Sequence, residues 1–138
     1  MNSLNALESS IAASMRRRYV RLLGRGTTAL YVALRALALH DGLGDDPGEV
    51  ILPDLICSNV LDAVVLAGFT PRFADVLPGR FNADPDSVRR LIGPSTRAVV
   101  AGHIFGTVED IPDYGVPVIE DAVQGLGGVT PSGRPVGT

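Results

Sequence analysis

Hydrophobic positions recur along this chain with two periods, one typical of helices and the other of buried strands. Helical spacing predicts helices at residues 3–16, 27–39, 58–68 and 84–92. Short apolar runs predict strands at residues 17–23, 49–53, 70–76, 97–104 and 116–121. The turn-rich tail from residue 125 onward has no apolar period, so it is predicted to be a loop or hairpin.

The order of these elements predicts the fold class. Short apolar strands that alternate with helices are typical of a three-layer α/β fold, in which a mostly parallel sheet carries helices on both faces. The helix at 27–39 is apolar on most of its faces, so we predict that it lies enclosed between layers. The 138 residues fit a single domain.

The composition is that of a folded protein and argues against several partners. Hydrophobic residues make up 46% of the chain and charged residues 20%, unlike disordered chains. The net charge of −3 argues against nucleic acid, because a phosphate backbone is bound by an excess of basic residues. A signal peptide, a membrane-spanning run and a second cysteine are all absent from the sequence. We expect a cytoplasmic protein with no membrane contact and no metal site.

All 12 basic residues are arginine, so the chain contains no lysine. Arginine stays protonated and cannot act as an amine nucleophile. Chemistry that requires a Schiff-base lysine therefore needs an amine from outside these residues.

Candidate chemistry lies just after the predicted strands, where parallel α/β sheets bind their ligands. The first candidate is the turn Gly24-Arg25-Gly26-Thr27-Thr28, which leads into a helix. Free backbone N–H groups, the helix dipole and two hydroxyls favour a phosphate there. The same residues also suit a plain helix cap, and they match neither the P-loop nor the dinucleotide fingerprint.

Three further candidates follow the later strands. Cys57 is either a nucleophile or a small buried apolar group. His103 either contacts a ligand by stacking or hydrogen bonding, or it satisfies its own loop. Asp121 ends an apolar strand, and a carboxylate desolvated in this way needs a cationic partner, which one of the arginines can also provide.

Several segments together resemble one family in order and spacing. They are GTTALYVALRAL, EVILPDLICSNVLDAVVLAGFTPRFADV, FNADPDSVRRLIGPSTRAVVAGHIFG and VPVIEDAVQGLGG, followed by GRPVGT. From about residue 18 onward the chain resembles the N-terminal half of the large domain of the DegT/StrS sugar aminotransferases, which are fold-type-I pyridoxal-phosphate enzymes. The resemblance implies the cofactor pyridoxal 5'-phosphate (PLP).

The resemblance also assigns roles to single residues. Gly26, Thr27 and Thr28 match the turn that holds the cofactor phosphate. Asp121 matches the catalytic aspartate that pairs with the pyridinium nitrogen, and Gln124 matches the residue near the phenolic oxygen. Cys57 stands where many relatives carry an aromatic residue that stacks on the ring, which leaves His103 or a partner residue as other candidates for stacking.

The family's Schiff-base lysine, its small domain and two further strands of its sheet are not found in residues 1–138. In the family's sheet order those two strands lie between the segment 17–23 and the strand that ends at Asp121. Without them, the strand that ends at Asp121 is expected to have an open edge. We expect one subunit of a split aminotransferase, active on a keto-sugar or cyclitol only in a hetero-oligomer with a lysine-bearing complementary subunit or homologue, and inactive alone. A non-catalytic regulatory or structural partner of a full-length homologue is the alternative, and a fragment of a longer chain is a third.

Overall fold

The computed structural model describes residues 3–137, in which helices and strands alternate. The helices are α1 (Ser3–Ser14), α2 (Gly26–His40), α3 (Ser58–Leu66) and α4 (Pro85–Leu91). The strands are β1 (Glu49–Pro53), β2 (Thr70–Ala74), β3 (Thr96–Gly102) and β4 (Val118–Asp121). These eight elements confirm the corresponding predictions, with ends shifted by at most two residues. No helix among the described residues is both long and apolar enough to cross a membrane.

The four strands form one parallel sheet in the order β2-β1-β3-β4. Successive side chains of a strand point to opposite faces, so β1 contributes to two cores. Val50 packs with Leu34 and Val64 beneath α2 and α3, whereas Ile51 packs with Val88 of α4 on the other face. The predicted three-layer α/β architecture is therefore confirmed.

Residues 17–23 do not form the predicted strand. A strand persists only where a neighbour takes its backbone hydrogen bonds. Here the buried carboxylate of Glu8 on α1 takes that place, accepting the backbone N–H of Leu22 at 2.9 Å and Nη1 of Arg21 at 3.0 Å. Residues 17–23 are therefore hydrogen-bonded to α1 and pair with no strand of the described chain.

Helix α2 is not enclosed between layers within residues 3–137. Its inner side packs on the sheet through Leu34 and Ala38, both fully buried. Its outer side leaves Val32 and Leu39 exposed, and Leu39 keeps 73% of its surface accessible. An apolar pattern predicts which residues of a helix favour burial, but the described residues bury only one side of α2.

Within residues 3–137 neither edge strand of the sheet, β2 or β4, pairs with a further strand, but the two edges differ chemically. On β2, the N–H of Thr70 bonds to Gly48 beside β1, so by alternation the backbone groups of Pro71 and Phe73 face outward. Proline has no N–H, and it is a common device that keeps further strands from pairing at an edge. The outer edge of β2 is therefore blocked at Pro71.

The β4 edge lacks this protection. The C=O of Asp121 accepts the N–H of His103 on the β3 side at 3.2 Å. By alternation the backbone N–H and C=O groups of Val118 and Glu120 face the open edge. The predicted open edge is thus present among the described residues, with two free donors and two free acceptors.

Candidate functional site

The amino end of α2 presents backbone N–H groups that no side chain caps. Arg25 occupies the cap position with extended backbone and makes no side-chain cap hydrogen bond, and the first turn holds no acidic residue. The first N–H groups of a helix have no partner within the helix, and the helix dipole is positive there. Gly26, Thr27 and Thr28 therefore form an electropositive end that suits an anion.

The turn that follows β4 lies against this end of α2. A Cβ placed on Gly26 would be 4.0 Å from Cγ2 of Val123. Within the same turn, Oδ1 of Asp121 accepts the backbone N–H of Val123 at 3.2 Å. Two of the candidates predicted from sequence, the α2 turn and Asp121, are therefore neighbours at the carboxyl edge of the sheet.

The turn after β3 is joined to the turn after β4. Oε1 of Gln124 accepts the backbone N–H of Phe105, and a Cβ on Gly106 would lie 3.5 Å from the C=O of Gln124. Phe105 has a φ of 56°, a left-handed conformation that costs about 1–2 kcal/mol in a residue with a side chain. The bond to Gln124 and an edge-to-face contact with Phe81, at 5.0 Å between ring centroids, offset this cost.

His103 lies below these turns and has no open ring face. Its side chain is 2% exposed, and its Nε2 is 2.8 Å from Oε1 of Glu120. A Cβ on Gly125 would lie 2.7 Å from Cβ of His103, so the second turn rests directly on this residue. Two roles were left open for His103, contact with a ligand or contacts within its own loop. The structure shows contacts within the protein, with Glu120 and with the turn at Gly125.

The arginine ion pair considered for Asp121 belongs instead to its neighbour in sequence. Glu120 lies 3.4 Å from Nη2 of Arg134, in addition to its contact with His103. Adjacent residues of a strand point to opposite faces, so the Glu120 carboxylate turns away from the face on which Asp121 lies. Asp121 remains half-buried, and the Val123 N–H is its side-chain partner within residues 3–137.

Cys57 is exposed at the amino end of α3, where its C=O accepts the N–H of Val60 at 2.9 Å. The interpretation of Cys57 as a buried apolar group is therefore wrong. The thiol lies at the same edge of the sheet as the other candidates, because α3 begins just after the carboxyl end of β1.

Sequence reasoning missed Glu120, Phe105 and Gly125 as parts of the site. The one signal for Glu120 was its place beside Asp121 in a strand, since alternation requires the two carboxylates to face different sides. Nothing in the sequence pairs Phe105 with Gln124. The described residues hold no group of three or more His, Cys, Asp or Glu side chains that could bind a metal ion.

Two curated aminotransferases are similar in sequence to this chain over most of its length. The 3-oxo-glucose-6-phosphate:glutamate aminotransferase of Bacillus subtilis (strain 168) is 33% identical over 131 residues, 90% of this chain and 29% of that protein. The UDP-2-acetamido-2-deoxy-3-oxo-D-glucuronate aminotransferase of Pseudomonas aeruginosa is 33% identical over 128 residues, 88% of this chain and 34% of that protein.

A solved structure shows the same fold. NtdA from Bacillus subtilis, crystallised with its bound cofactor PMP, superposes with a TM-score of 0.76 at 32% identity, covering 90% of this chain and 29% of NtdA. The expected α/β fold of the fold-type-I PLP aminotransferases is therefore confirmed. The chain spans about a third of the length of the curated relatives it matches. The model of the DegT/DnrJ/EryC1/StrS aminotransferase family matches residues 2–138, so the chain belongs to this family.

Proposed function

We propose that this chain supplies the cradle for PLP in an aminotransferase that acts on a keto-sugar or cyclitol in biosynthesis. The observation that carries the proposal is the contact between the Asp121 turn and the amino end of α2, made where Gly26 meets Val123. An acidic group and an anion-binding helix end are side by side. PLP carries a basic ring nitrogen and a phosphate, so its two charged ends match these two groups.

Each side of the cradle has its own task. Backbone N–H groups of Gly26, Thr27 and Thr28 hold the phosphate. The Asp121 carboxylate keeps a proton on the ring nitrogen, and Gln124 donates from its amide nitrogen to the phenolic oxygen. When bound, PLP supplies an electron-withdrawing ring for amino-group transfer.

The open sides of the cradle are bounded by other groups. Cys57 is proposed to lie beside the ring, where its small side chain leaves a gap that a partner residue fills. His103 contributes from below, since its buried ring carries the turn that holds Asp121 and Gln124. The site is thus built from one helix end, one strand end and the two turns joined by Gln124.

Relatives support a sugar as the amino acceptor. Both curated relatives compared above are aminotransferases named for 3-oxo sugar derivatives, and the name of one includes glutamate. We propose an oxo group on a sugar or cyclitol as the acceptor and glutamate or glutamine as the donor.

The covalent lysine is proposed to come from a partner chain. The sequence contains no lysine, and the sheet ends at a β4 edge with unused hydrogen-bonding groups. A partner that adds strands there would place its own residues next to Asp121, because parallel strands share one carboxyl edge. The functional unit is then a hetero-oligomer of this chain with a lysine-bearing subunit or homologue.

Affinity-tagged protein, expressed in its native host and purified with any bound chain, tests the proposal. The complex is titrated with PLP, reduced with borohydride, digested and analysed by mass spectrometry. We expect a visible absorption band and a phosphopyridoxyl group on a lysine of the partner. Asp121→Ala should abolish the band, whereas Asp62→Ala, which alters an exposed carboxylate of α3, should leave it unchanged.

Two results would contradict parts of the proposal. If the tagged chain binds no lysine-bearing partner, the split arrangement is wrong. If the partner carries PLP and transfers amino groups equally well with the Asp121→Ala chain, this chain contributes no cofactor residue, and the alternative of a regulatory or structural subunit is correct.

A further inference from the structure

Two buried side-chain atoms in the described part of the chain have no hydrogen-bond partner, and both of their residues line one cavity. The atoms are Oδ1 of Asn82 and Nδ1 of His103. The cavity lies on the α4 side of the sheet and has a volume of about 40 Å³. Buried polar atoms without partners are rare in folded proteins and call for a physical reason.

Both atoms are hydrogen-bond acceptors when His103 is neutral and carries its hydrogen on Nε2. An ionised carboxylate can only accept, so Nε2 of His103 carries the hydrogen that is directed at Glu120. In a neutral imidazole this leaves Nδ1 with a bare lone pair. The Asn82 oxygen is an acceptor as well, so in this tautomer the two atoms cannot bond to each other, and a single species that bonds to both must have two donor hydrogens.

The cavity has the size for such a species. One water needs roughly 10–15 Å³ of accessible space and two to four polar partners. Ligand pockets for larger molecules are about 300–1,000 Å³, far above the volume here. Tyr114 also lines the cavity, but its single O–H can serve only one of the two acceptors.

We propose that a buried water bridges Asn82 and His103 and positions the turn that carries Asp121. The water donates one hydrogen to Oδ1 of Asn82 and the other to Nδ1 of His103. With Glu120 bound at Nε2, the imidazole is then held at both nitrogens. Asn82 thereby acts as a positioning residue, through the water and His103.

Two contacts of His103 connect the water to the turn that carries Asp121. The His103 ring supports Gly125, where a Cβ would come within 3.1 Å of the ring carbon Cγ. The His103 backbone N–H also bonds to the C=O of Asp121 at 3.2 Å. A ring free to rotate would lose its contact with Gly125 and loosen that end of the turn, which also holds Val123, the partner of the Asp121 side chain. The expected effect on PLP binding rests on the proposed function, whereas the presence of the water is independent of it.

NMR of the full chain, labelled with ¹⁵N, tests the water without any cofactor. We expect long-lived water cross-peaks at the His103 ring protons and an Nδ1 resonance typical of a hydrogen-bonded acceptor. Asn82→Leu removes the acceptor and fills the cavity, so the cross-peaks should vanish and the Nδ1 resonance should move to its unbonded position. Asn82→Ser is the control, because its hydroxyl still accepts a hydrogen bond without adding a charge, and it should keep the cross-peaks.

The amide of Val123 reports on the turn, since it bonds to Asp121. Its resonance should shift in Asn82→Leu, while the amides of β1 stay in place and show that the chain is folded. In the complex with the partner, PLP affinity should fall about tenfold in Asn82→Leu, the lower end for loss of a supporting contact. Asn82→Ser should keep it.

Absence of water cross-peaks at His103 in the unmodified chain would overturn the inference. An unmoved Val123 resonance in a folded Asn82→Leu chain would overturn the positioning role. Should the Leu variant fail to fold, Asn82→Val, which also removes the acceptor but has a smaller side chain, replaces it in the same comparison. Failure of the unmodified complex to bind PLP would count against the proposed function alone, because the NMR result does not depend on the cofactor.

Discussion

The backbone N–H of Phe105 donates a hydrogen bond to the side-chain Oε1 of Gln124, joining turns that lie 19 residues apart in the chain. One end of the Gln124 amide is therefore already used to hold the turn after β3. The other end, the NH₂ group, remains available to a ligand at the carboxyl edge of the sheet. A single side chain thus joins the scaffold to the site.

Changing this amide separates the two tasks. Gln124→Glu keeps an oxygen for the Phe105 N–H but has no NH₂ to donate. In the complex with the partner, we expect it to weaken PLP binding about tenfold, in keeping with the loss of a hydrogen bond worth roughly 1.5 kcal/mol. Absorbance titration with PLP measures the effect. Equal affinity of the Glu variant and the unmodified chain would show that the NH₂ group does not contact the cofactor.

Gly125→Ala should destabilise the fold around the site. The added Cβ would lie 2.7 Å from Cβ of His103, an atom that cannot move without its backbone. Overpacking of this kind costs about 1–3 kcal/mol, which urea unfolding followed by circular dichroism would detect. Gly44→Ala is the control, because its Cβ would meet no atom within 4 Å, and it should leave the unfolding midpoint almost unchanged.

Proline at the open edge of the sheet should prevent partner binding without unfolding this chain. The N–H of Val118 faces away from β3, so Val118→Pro removes no hydrogen bond of the existing sheet but one that an added strand needs. We expect association with the lysine-bearing chain, measured by sedimentation velocity, to be lost. Phe73→Pro makes the same change on the β2 edge and should leave association intact. Equal binding by both variants would exclude strand addition at β4.

The hydrogen bonds between Asp110 and Ser132 predict that the tail around Ser132 changes its conformation at acid pH. Hydrogen bonds from the side chains of Ser132 and Thr130 lower the pKa of Asp110 below its usual value of 3.8. A carboxyl group whose pKa is lower in the folded state stabilises that state above its unfolded pKa, and the contribution is lost as pH falls through the lowered value. The tail around Ser132 should therefore detach from Asp110 only below pH 3.8.

The Ser132 amide resonance follows this transition, because its N–H bonds to Oδ2 of Asp110 at 3.1 Å. In Asp110→Asn the resonance should no longer titrate in acid. A midpoint at or above 3.8 in the unmodified chain would contradict the expected pKa direction. The prediction concerns the tail hairpin, in which Val129 pairs with Pro135, and leaves the sheet unaffected.

Local sequence was sufficient for the eight helices and strands that the structure confirms, but not for the strand predicted at residues 17–23 or for the cover predicted around α2. Val50, Ile51 and Leu52 form an apolar run that any strand would place on two covered faces, as the two cores show. Asp84 followed by Pro85 begins a helix through its own chemistry, and the Asp84 carboxylate accepts the N–H of Asp86 at 3.0 Å. Such signals act over a few residues, so they can be read without knowledge of the rest of the molecule.

The sequence alone also determined that these 138 residues offer no lysine amine for a Schiff base. Only the tertiary structure decided that residues 17–23 bind Glu8 rather than a strand, that Arg134 pairs with Glu120 rather than Asp121, and that Asn82 and His103 share a cavity. The physical reason is that hydrogen-bond and ion-pair partners are chosen by distance in space. Residues far apart in the chain compete for the same donors, and the packed sheet decides which of them are close enough to bond.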